Sequence, residues 1–110
     1  MGSKLKNIKI GEVLKLADEV TYQEGQVISK TYIQNEAISM TLFSFDKGEE
    51  ISTHASGGDA LVICLDGCGQ ITIDEEKNEL CVGDSIVMPA NHPHAVYAKE
   101  QFKMLLVVAF

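Results

Sequence analysis

Apolar residues in this chain recur in short runs that alternate with polar residues and end at turn-forming residues. After Gly25, the run QVISKTYIQ alternates residue by residue, and AISMTLFSF follows a predicted tight turn at Asn35-Glu36. The later runs are ALVICL, GQITID, ELCV, SIVM, HAVYA and KMLLVVAF. Short strands with a turn signal roughly every ten residues predict an all-β sandwich or barrel.

Glycine and acidic residues mark the predicted turns. The segments 46–48 and 75–78 predict turns, and Asp66-Gly67 predicts a hairpin between ALVICL and GQITID. Before the strands, a few apolar residues fall near one helical face and predict a short N-terminal helical turn: Val13, Leu14, Ala17 and Val20. With 110 residues and no internal repeat, the chain is expected to form one domain over residues 1–110.

The closing run KMLLVVAF shows no alternation between apolar and polar residues. Its segment 105–108 would be covered on both faces only if another element packed on the outside of the barrel. A chain of this length has few spare elements, and an exposed apolar outer face commonly marks a subunit interface. The run therefore predicts a homodimer.

Composition and charge narrow the classes of partner. The net charge is −7, from sixteen acidic residues and nine lysines, and the sequence contains no arginine. A nucleic-acid partner is not expected, because such binders carry a basic surface and phosphate-contacting arginines. The apolar runs are too short to cross a bilayer and the N-terminus lacks the apolar core of a signal peptide, so we expect a cytoplasmic protein without a membrane partner.

The cysteines are Cys64, Cys68 and Cys81. An odd number without C-x-x-C spacing argues against a disulfide framework and fits a reducing compartment. Cys64 lies within ALVIC and is expected to be a small apolar core residue.

Two glycine- and histidine-containing segments carry candidate chemistry. The first runs from Gly48 through His54 to Gly67, with Ser56 and Ala60 between them. Both glycines and the histidine match the first motif of the cupin superfamily, the small double-stranded β-helix or jelly-roll barrels, which this segment (residues 48–67) resembles. Ser56 and Ala60 stand where that motif has its second histidine and its glutamate.

The second segment, residues 83–98, resembles the second cupin motif. Gly83, Pro89 and His94 match it, Asn91 replaces a glycine, and Ala98 replaces the final asparagine. Asparagine tolerates left-handed backbone better than most residues. The two motifs imply a cupin fold, but a fold alone does not fix a function.

In metal-binding cupins, three histidines and one glutamate converge inside the barrel, and the resemblance leaves His54 and His94 from that set. Two ligands hold a metal poorly, so no cofactor is expected, although Zn, Fe, Mn or Ni at these histidines stays an alternative. Asp59 lies one residue from the glutamate position, which points its side chain to the other face unless Gly57-Gly58 forms a bulge. By strand alternation we expect the ligand pocket to comprise His54, Ser56, Ala60, Val62, Cys64, His94 and Val96, with Cys64 too deep to join His54.

These residues lead to two main hypotheses. The first is a barrel that binds a small, mostly apolar molecule without a complete metal site. The second is a metal-dependent dioxygenase, isomerase or decarboxylase that uses both histidines with a third group such as Asp59 or His92. His92 itself, beside Pro93, is expected to lie on the rim. Metal-free acid–base isomerisation by the two histidines is weaker, because no arginine is present to anchor a nucleotide phosphate.

Overall fold

The computed structural model describes residues 3–110, and within them a short 3₁₀ turn, Leu16–Glu19, precedes eight strands. The strands are β1 Val27–Gln34, β2 Ile38–Phe45, β3 Glu50–His54, β4 Asp59–Ile73, β5 Glu76–Cys81, β6 Ser85–Met88, β7 His94–Tyr97 and β8 Phe102–Ala109. The predicted all-β class is confirmed.

Strand β4 joins the two halves of the sheet. All pairings are antiparallel, in the order β1-β2-β8-β4-β7-β3, with β5 and β6 also paired to β4. The first half of β4 pairs with β8 and β6, and the second half pairs with β7 and β5. The sheet therefore curls around β4 into a half-barrel.

The predicted hairpin at Asp66-Gly67 is wrong, because the chain continues through these residues as one strand. The pairing with β8 slips between Cys64 and Asp66, which makes Leu65 the extra residue of a β-bulge. Gly67 has φ of +66°, and a Cβ there would lie 2.0 Å from the carbonyl oxygen of Gln101. A glycine signal that indicates a turn in the sequence thus marks a bend within a strand.

The turn predicted at residues 75–78 is shifted in the structure. Asp74 and Glu75 both have positive φ, of 48° and 72°, and they connect β4 to β5, which begins at Glu76. Paired positive φ values fit the tight hairpin turn that matches strand twist. The turn at Asn35 is confirmed, with its Oδ1 accepting hydrogen bonds from the backbone N–H groups of Ala37 and Ile38.

Apolar side chains pack on both faces of the curled sheet. The larger cluster fills the inside of the curl: Phe45, Ala60, Val62, Cys64, Ile71, Leu80, Met88, Val96, Ala98, Phe102, Met104 and Val108. A second cluster on the outer face contains Val20, Tyr32, Leu42 and Leu105, with Leu5, Ile8, Leu16 and Val107 packed against it. Successive residues of β8 therefore enter opposite clusters, which explains the lack of alternation in its sequence.

The expectation that nothing covers the outer face of β8 is wrong, because the chain's own N-terminal segment lies there. Polar contacts fasten it: the Lys6 backbone N–H donates to the Tyr32 carbonyl at 2.7 Å, and Lys30 pairs with Glu19 at 3.3 Å. The predicted short N-terminal helical turn is confirmed as the 3₁₀ turn Leu16–Glu19. Its four apolar residues do not form one buried face, because Val13 is fully exposed while Val20 is buried.

The expectation of no disulfide is wrong as well, since Cys68 and Cys81 are bonded to each other. They are directly opposite on β4 and β5, with Cα atoms 4.1 Å apart. The pairing is long-range in character, because it depends on the register of two strands and not on C-x-x-C spacing. Cys64 is a free, buried core residue, as expected.

Gly67→Ala should destabilise the fold far more than Gly25→Ala. Both glycines have φ near 67°, so both substitutions place a side chain in the left-handed region at about 1–2 kcal/mol. Only at position 67 does the new Cβ also meet backbone, while nothing lies within 4 Å at position 25. We expect the Gly67→Ala loss to exceed the control by at least about 2 kcal/mol in urea unfolding. Equal losses would contradict this account of the bulge.

Candidate functional site

Two histidines face each other across neighbouring strands. His54 ends β3 and His94 begins β7, and the two are directly opposite in the antiparallel pairing. Their rings lie edge to face with centroids 4.3 Å apart, and the two Nε2 atoms are separated by 3.1 Å. The structure therefore brings together two residues that are forty positions apart in the sequence.

The hydrogen bonds assign a proton to each ring. The Nδ1 of His54 lies 3.0 Å from the Ser52 carbonyl oxygen, which can only accept, so Nδ1–H is the donor. When His54 is neutral, its Nε2 carries a lone pair, and His94 Nε2–H donates to it. The Nδ1 of His94 is then a buried lone pair without a hydrogen-bond partner.

Burial differs sharply between the two rings. His94 is 2% exposed, whereas His54 lies at the exposed end of its strand. Removal from water, with a smaller contribution from neighbouring His54, lowers the pKa of His94 below its ordinary value. His94 is therefore held in its neutral form at neutral pH.

A cavity of about 210 Å³ adjoins the histidine pair. Three of its lining side chains are polar, namely His54, Ser56 and His94. The others are apolar: Phe43, Ile51, Ala60, Met88, Val96, Met104, Leu106 and Val108. The space is thus an apolar chamber with imidazole at one side, the composition typical of small-molecule sites.

Five of the seven predicted pocket residues line this cavity: His54, Ser56, Ala60, His94 and Val96. Val62 and Cys64 do not. They are buried further along β4 within the inner core, and the Cys64 thiol donates to the Gly67 carbonyl near the bulge. The same burial raises the pKa of the Cys64 thiol, which keeps it protonated.

Most of the apolar wall is not evident from the sequence, because it comes from strands whose pairing the sequence does not reveal. Alternation places Ala60 inward, but only the β4–β8 register shows that Val108 is its neighbour. Phe43, Met88 and Met104 stand at no defined position of either motif, and nothing in the sequence distinguishes them from ordinary core packing. Alternate residues of a strand point to the same face of the sheet, so these three residues of β2, β6 and β8 can be assigned to the inner face once the strand order is known.

The remaining polar candidates bond elsewhere. The Asp59 carboxylate accepts a hydrogen bond from the Ala90 backbone N–H at 2.8 Å, and His92 Nδ1 pairs with Asp74 at 2.5 Å. The Ser56 hydroxyl accepts from the Gly58 backbone N–H at 3.1 Å. Within residues 3–110, neither Asp59 nor His92 forms a three-ligand group with His54 and His94 in this structure.

The donor set at the histidines does not fit a tightly held metal ion. Among residues 3–110, no further histidine, cysteine or carboxylate joins His54 and His94 in a cluster of three potential ligands. Metal-binding histidines also donate their second ring N–H to an acceptor. Ser52 provides that acceptor for His54, but His94 Nδ1 has none.

A larger, open groove of about 550 Å³ lies elsewhere, around Tyr22, Asp66 and Glu100. Several of its polar groups already have partners. The Tyr22 hydroxyl donates to Asp66, and burial together with that bond raises the pKa of Tyr22. Asp46, also in the groove, accepts from the Gly25 backbone N–H and from Gln101. These groups are already occupied, so the histidine cavity is the better candidate site.

Comparison with known families decides the identity of the fold. The family model described as the cupin domain matches residues 41–110. This chain belongs to the cupin family. The double-stranded β-helix implied by the two motifs is confirmed, and Asn91, at the glycine position of the second motif, has φ of 65°.

Several solved structures are similar to this cupin. A conserved protein of unknown function from Streptococcus pyogenes is 47% identical, with a TM-score of 0.96 over 98% of this chain and 95% of that one. A cupin superfamily protein from Desulfitobacterium hafniense is 35% identical, with a TM-score of 0.93 over 98% and 99%. A cupin 2 conserved barrel domain protein from Leptotrichia buccalis is 44% identical, with a TM-score of 0.86 over 88% of this chain and 47% of that chain.

No curated protein sequence matches this cupin. Within residues 3–110, no helix combines the length and the apolar character that spanning a bilayer requires.

The free energy of unfolding of this cupin should decrease as the pH is lowered, and part of that decrease should depend on His94. Its pKa is depressed on folding, so between that value and the unfolded value of about 6.5 the unfolded chain binds more protons. The stabilisation is present above about pH 6.5 and is lost as the pH falls toward the folded pKa, by at most about 1.4 kcal/mol per pH unit.

Urea unfolding of the wild type and His94→Phe between pH 7.5 and 5.5 tests this expectation. The free energy of unfolding of His94→Phe should depend less steeply on pH than that of the wild type, because the His94 contribution is absent. The exposed-site control His92→Gln should retain that contribution. Identical pH slopes in the wild type and His94→Phe would contradict the assignment.

Proposed function

We propose that this cupin binds a small, mostly apolar molecule inside its barrel and acts as a binding, sensing or accessory module without a complete metal site. The observation that carries the proposal is the apolar cavity with His54 and His94 at one side. An apolar wall supplies affinity by removing ligand surface from water, and a few polar groups fix orientation.

Cavity size and polarity indicate the ligand class. A volume of about 210 Å³ exceeds the ~150 Å³ apolar cavity known to hold benzene, so one small ring or a short branched chain fits. The unpartnered Nδ1 of His94 favours a ligand that carries a hydrogen-bond donor, because a buried acceptor gains a bond that water does not supply. We therefore infer a small hydroxyl-bearing apolar molecule, such as a simple phenol.

A matched pair of probes, phenol and toluene, separates the contribution of apolar burial from that of the hydrogen bond to His94. Both should bind the wild type, with dissociation constants measured from NMR chemical-shift titrations. His94→Phe should weaken phenol binding by about tenfold, because the buried phenol hydroxyl loses its hydrogen-bond partner. The dissociation constant of toluene should change by less than about threefold. Equal effects on both probes would contradict a polar role for His94.

Ala60→Leu tests the location. Ala60 lines the cavity and is buried, so the larger side chain should occupy the ligand space and abolish binding of both probes without a loss of stability. Ala55→Leu makes the same change on an exposed neighbour of His54 and should leave binding unchanged. Binding that persists in Ala60→Leu would place the site elsewhere.

The second candidate function is a metal-dependent cupin enzyme of the dioxygenase, isomerase or decarboxylase type. One observation favours it: the Nε2 atoms of His54 and His94 are 3.1 Å apart, close enough for both to reach one ion at about 2 Å. Metal analysis of protein purified without a metal-affinity column tests it. A stoichiometric transition metal that is lost in His54→Ala and in His94→Ala would replace the metal-free proposal.

We also propose a cytoplasmic homodimer. The N-terminal segment covers much of the outer face, but Ile10 and Val13 on that segment and Val87 on β6 stay exposed. Such side chains support a self-association surface. Sedimentation at micromolar concentration tests it, and a monomer would contradict it.

A further inference from the structure

Cys68 and Cys81 occupy a close cross-strand pair. Both backbone polar groups of Cys81 form hydrogen bonds with Asp84. The Cys81 N–H donates to the Asp84 carboxylate at 2.9 Å, and the Asp84 N–H donates to the Cys81 carbonyl at 2.8 Å. The pair therefore lies at a non-hydrogen-bonded position of the β4–β5 ladder, where facing side chains approach most closely. The two sulfur atoms project to the same face of the sheet.

Glu79 adds a carboxylate to these sulfurs. It lies two residues before Cys81 on β5, so both side chains share a face. The Glu79 Oε1 lies 3.5 Å from the Cys81 Sγ, and one donor atom from each of Cys68, Glu79 and Cys81 lies within 4.8 Å of the others. In a tetrahedral zinc site, metal–ligand bonds of about 2.0–2.3 Å separate neighbouring donors by roughly 3.5–3.8 Å. The two sulfur atoms are bonded to each other in the disulfide, so after reduction they must separate to that spacing by rotation about their Cα–Cβ bonds.

The surroundings leave room for an ion and add no net charge to it. A pocket of about 170 Å³ borders Cys68 and Glu79 and also contacts Lys99 and Glu100. Two thiolates, one carboxylate and a divalent cation carry a net charge of minus one. Lys99 and Glu100, both on the wall of the pocket, carry opposite charges and leave that total unchanged.

We propose that the reduced Cys68/Cys81 pair, together with Glu79, binds one Zn²⁺ ion, and that disulfide formation abolishes this site. Reduction by a dithiol transfers two electrons and two protons, which breaks the sulfur–sulfur bond and leaves two thiols while the reductant becomes a disulfide. Zinc then displaces the two thiol protons to solvent and bonds both thiolates and the Glu79 carboxylate, with water as the fourth ligand. In the disulfide neither sulfur is a thiolate, so the ion loses two of its three protein ligands.

This site is separate from the barrel cavity, because the two share no lining residue. The inference does not depend on the proposed function. The sulfur ligands also favour zinc and other thiophilic ions over calcium or magnesium.

Zinc binding by oxidised and reduced wild-type protein provides the central test. Metal-free protein, prepared without a metal-affinity column, is titrated with Zn²⁺ against a chromophoric chelator before and after reduction. We expect one zinc per reduced chain and at least about 100-fold weaker binding by the oxidised chain. Co²⁺ added to the reduced protein should give sulfur-to-cobalt charge-transfer absorption. Equal zinc affinity in the two redox forms would overturn the proposal.

Variants assign the ligands. Cys68→Ser and Cys81→Ser should each lose the charge-transfer signature of two thiolates, and Glu79→Gln should weaken zinc binding by at least about tenfold. Glu76→Gln makes the same charge change on the opposite face of β5 and should bind normally. The double variant His54→Ala/His94→Ala should also keep its zinc, whereas loss of zinc in this variant alone would move the metal to the barrel and overturn the proposal. Circular dichroism checks that each variant is folded.

Discussion

The whole barrel depends on one residue's freedom to adopt a positive φ within a strand. Gly67 allows β4 to bend where it leaves β8 and β6 and begins to pair with β7 and β5, and the Gln101 carbonyl occupies the place of a side chain. Without the bend, the strand could not serve both halves of the sheet. The inward face of its first half would then not meet β7, the strand that carries His94.

The same curl explains why the histidines depend on each other. In the motif that this chain resembles, a second histidine and a carboxylate stand where Ser56 and Ala60 lie here. Ser56 is engaged with the Gly58 backbone, and Ala60 offers only a methyl group to the cavity wall. The polar partner that His94 retains is therefore His54, and burial together with that neighbour favours the neutral ring. With Ser56 and Ala60 at these positions, the cavity is an apolar chamber with a hydrogen-bonding edge.

The sequence predicted what short-range chemistry controls and failed where distant strands meet. The strand SIVM was predicted with its exact bounds as β6, and the register of Gly48 and Gly67 led to the correct family. Asp66-Gly67 was misinterpreted because a positive-φ glycine serves a turn and a bulge equally well. The Cys68–Cys81 bond and the β8 wall of the cavity both depend on long-range register, which local patterns do not encode. The sequence does not reveal the outer cover of β8, because the N-terminal segment that provides it is irregular and its short helical pattern does not indicate where it packs.

The two candidate sites illustrate how the ladder sets the chemistry available to a side chain. His54 and His94 are opposite each other on β3 and β7, and Cys68 and Cys81 are opposite each other on β4 and β5. Each pair converges because facing residues in an antiparallel ladder lie only about 4.5–5.5 Å apart. In the part of the chain that the structure describes, no carboxylate forms a three-ligand group with the two histidines, whereas Glu79, two residues before Cys81 on the same face, forms one with the cysteines. Among residues 3–110 of this cupin, the fuller set of metal donors therefore lies outside the barrel, whereas the barrel position offers two imidazoles beside an apolar wall.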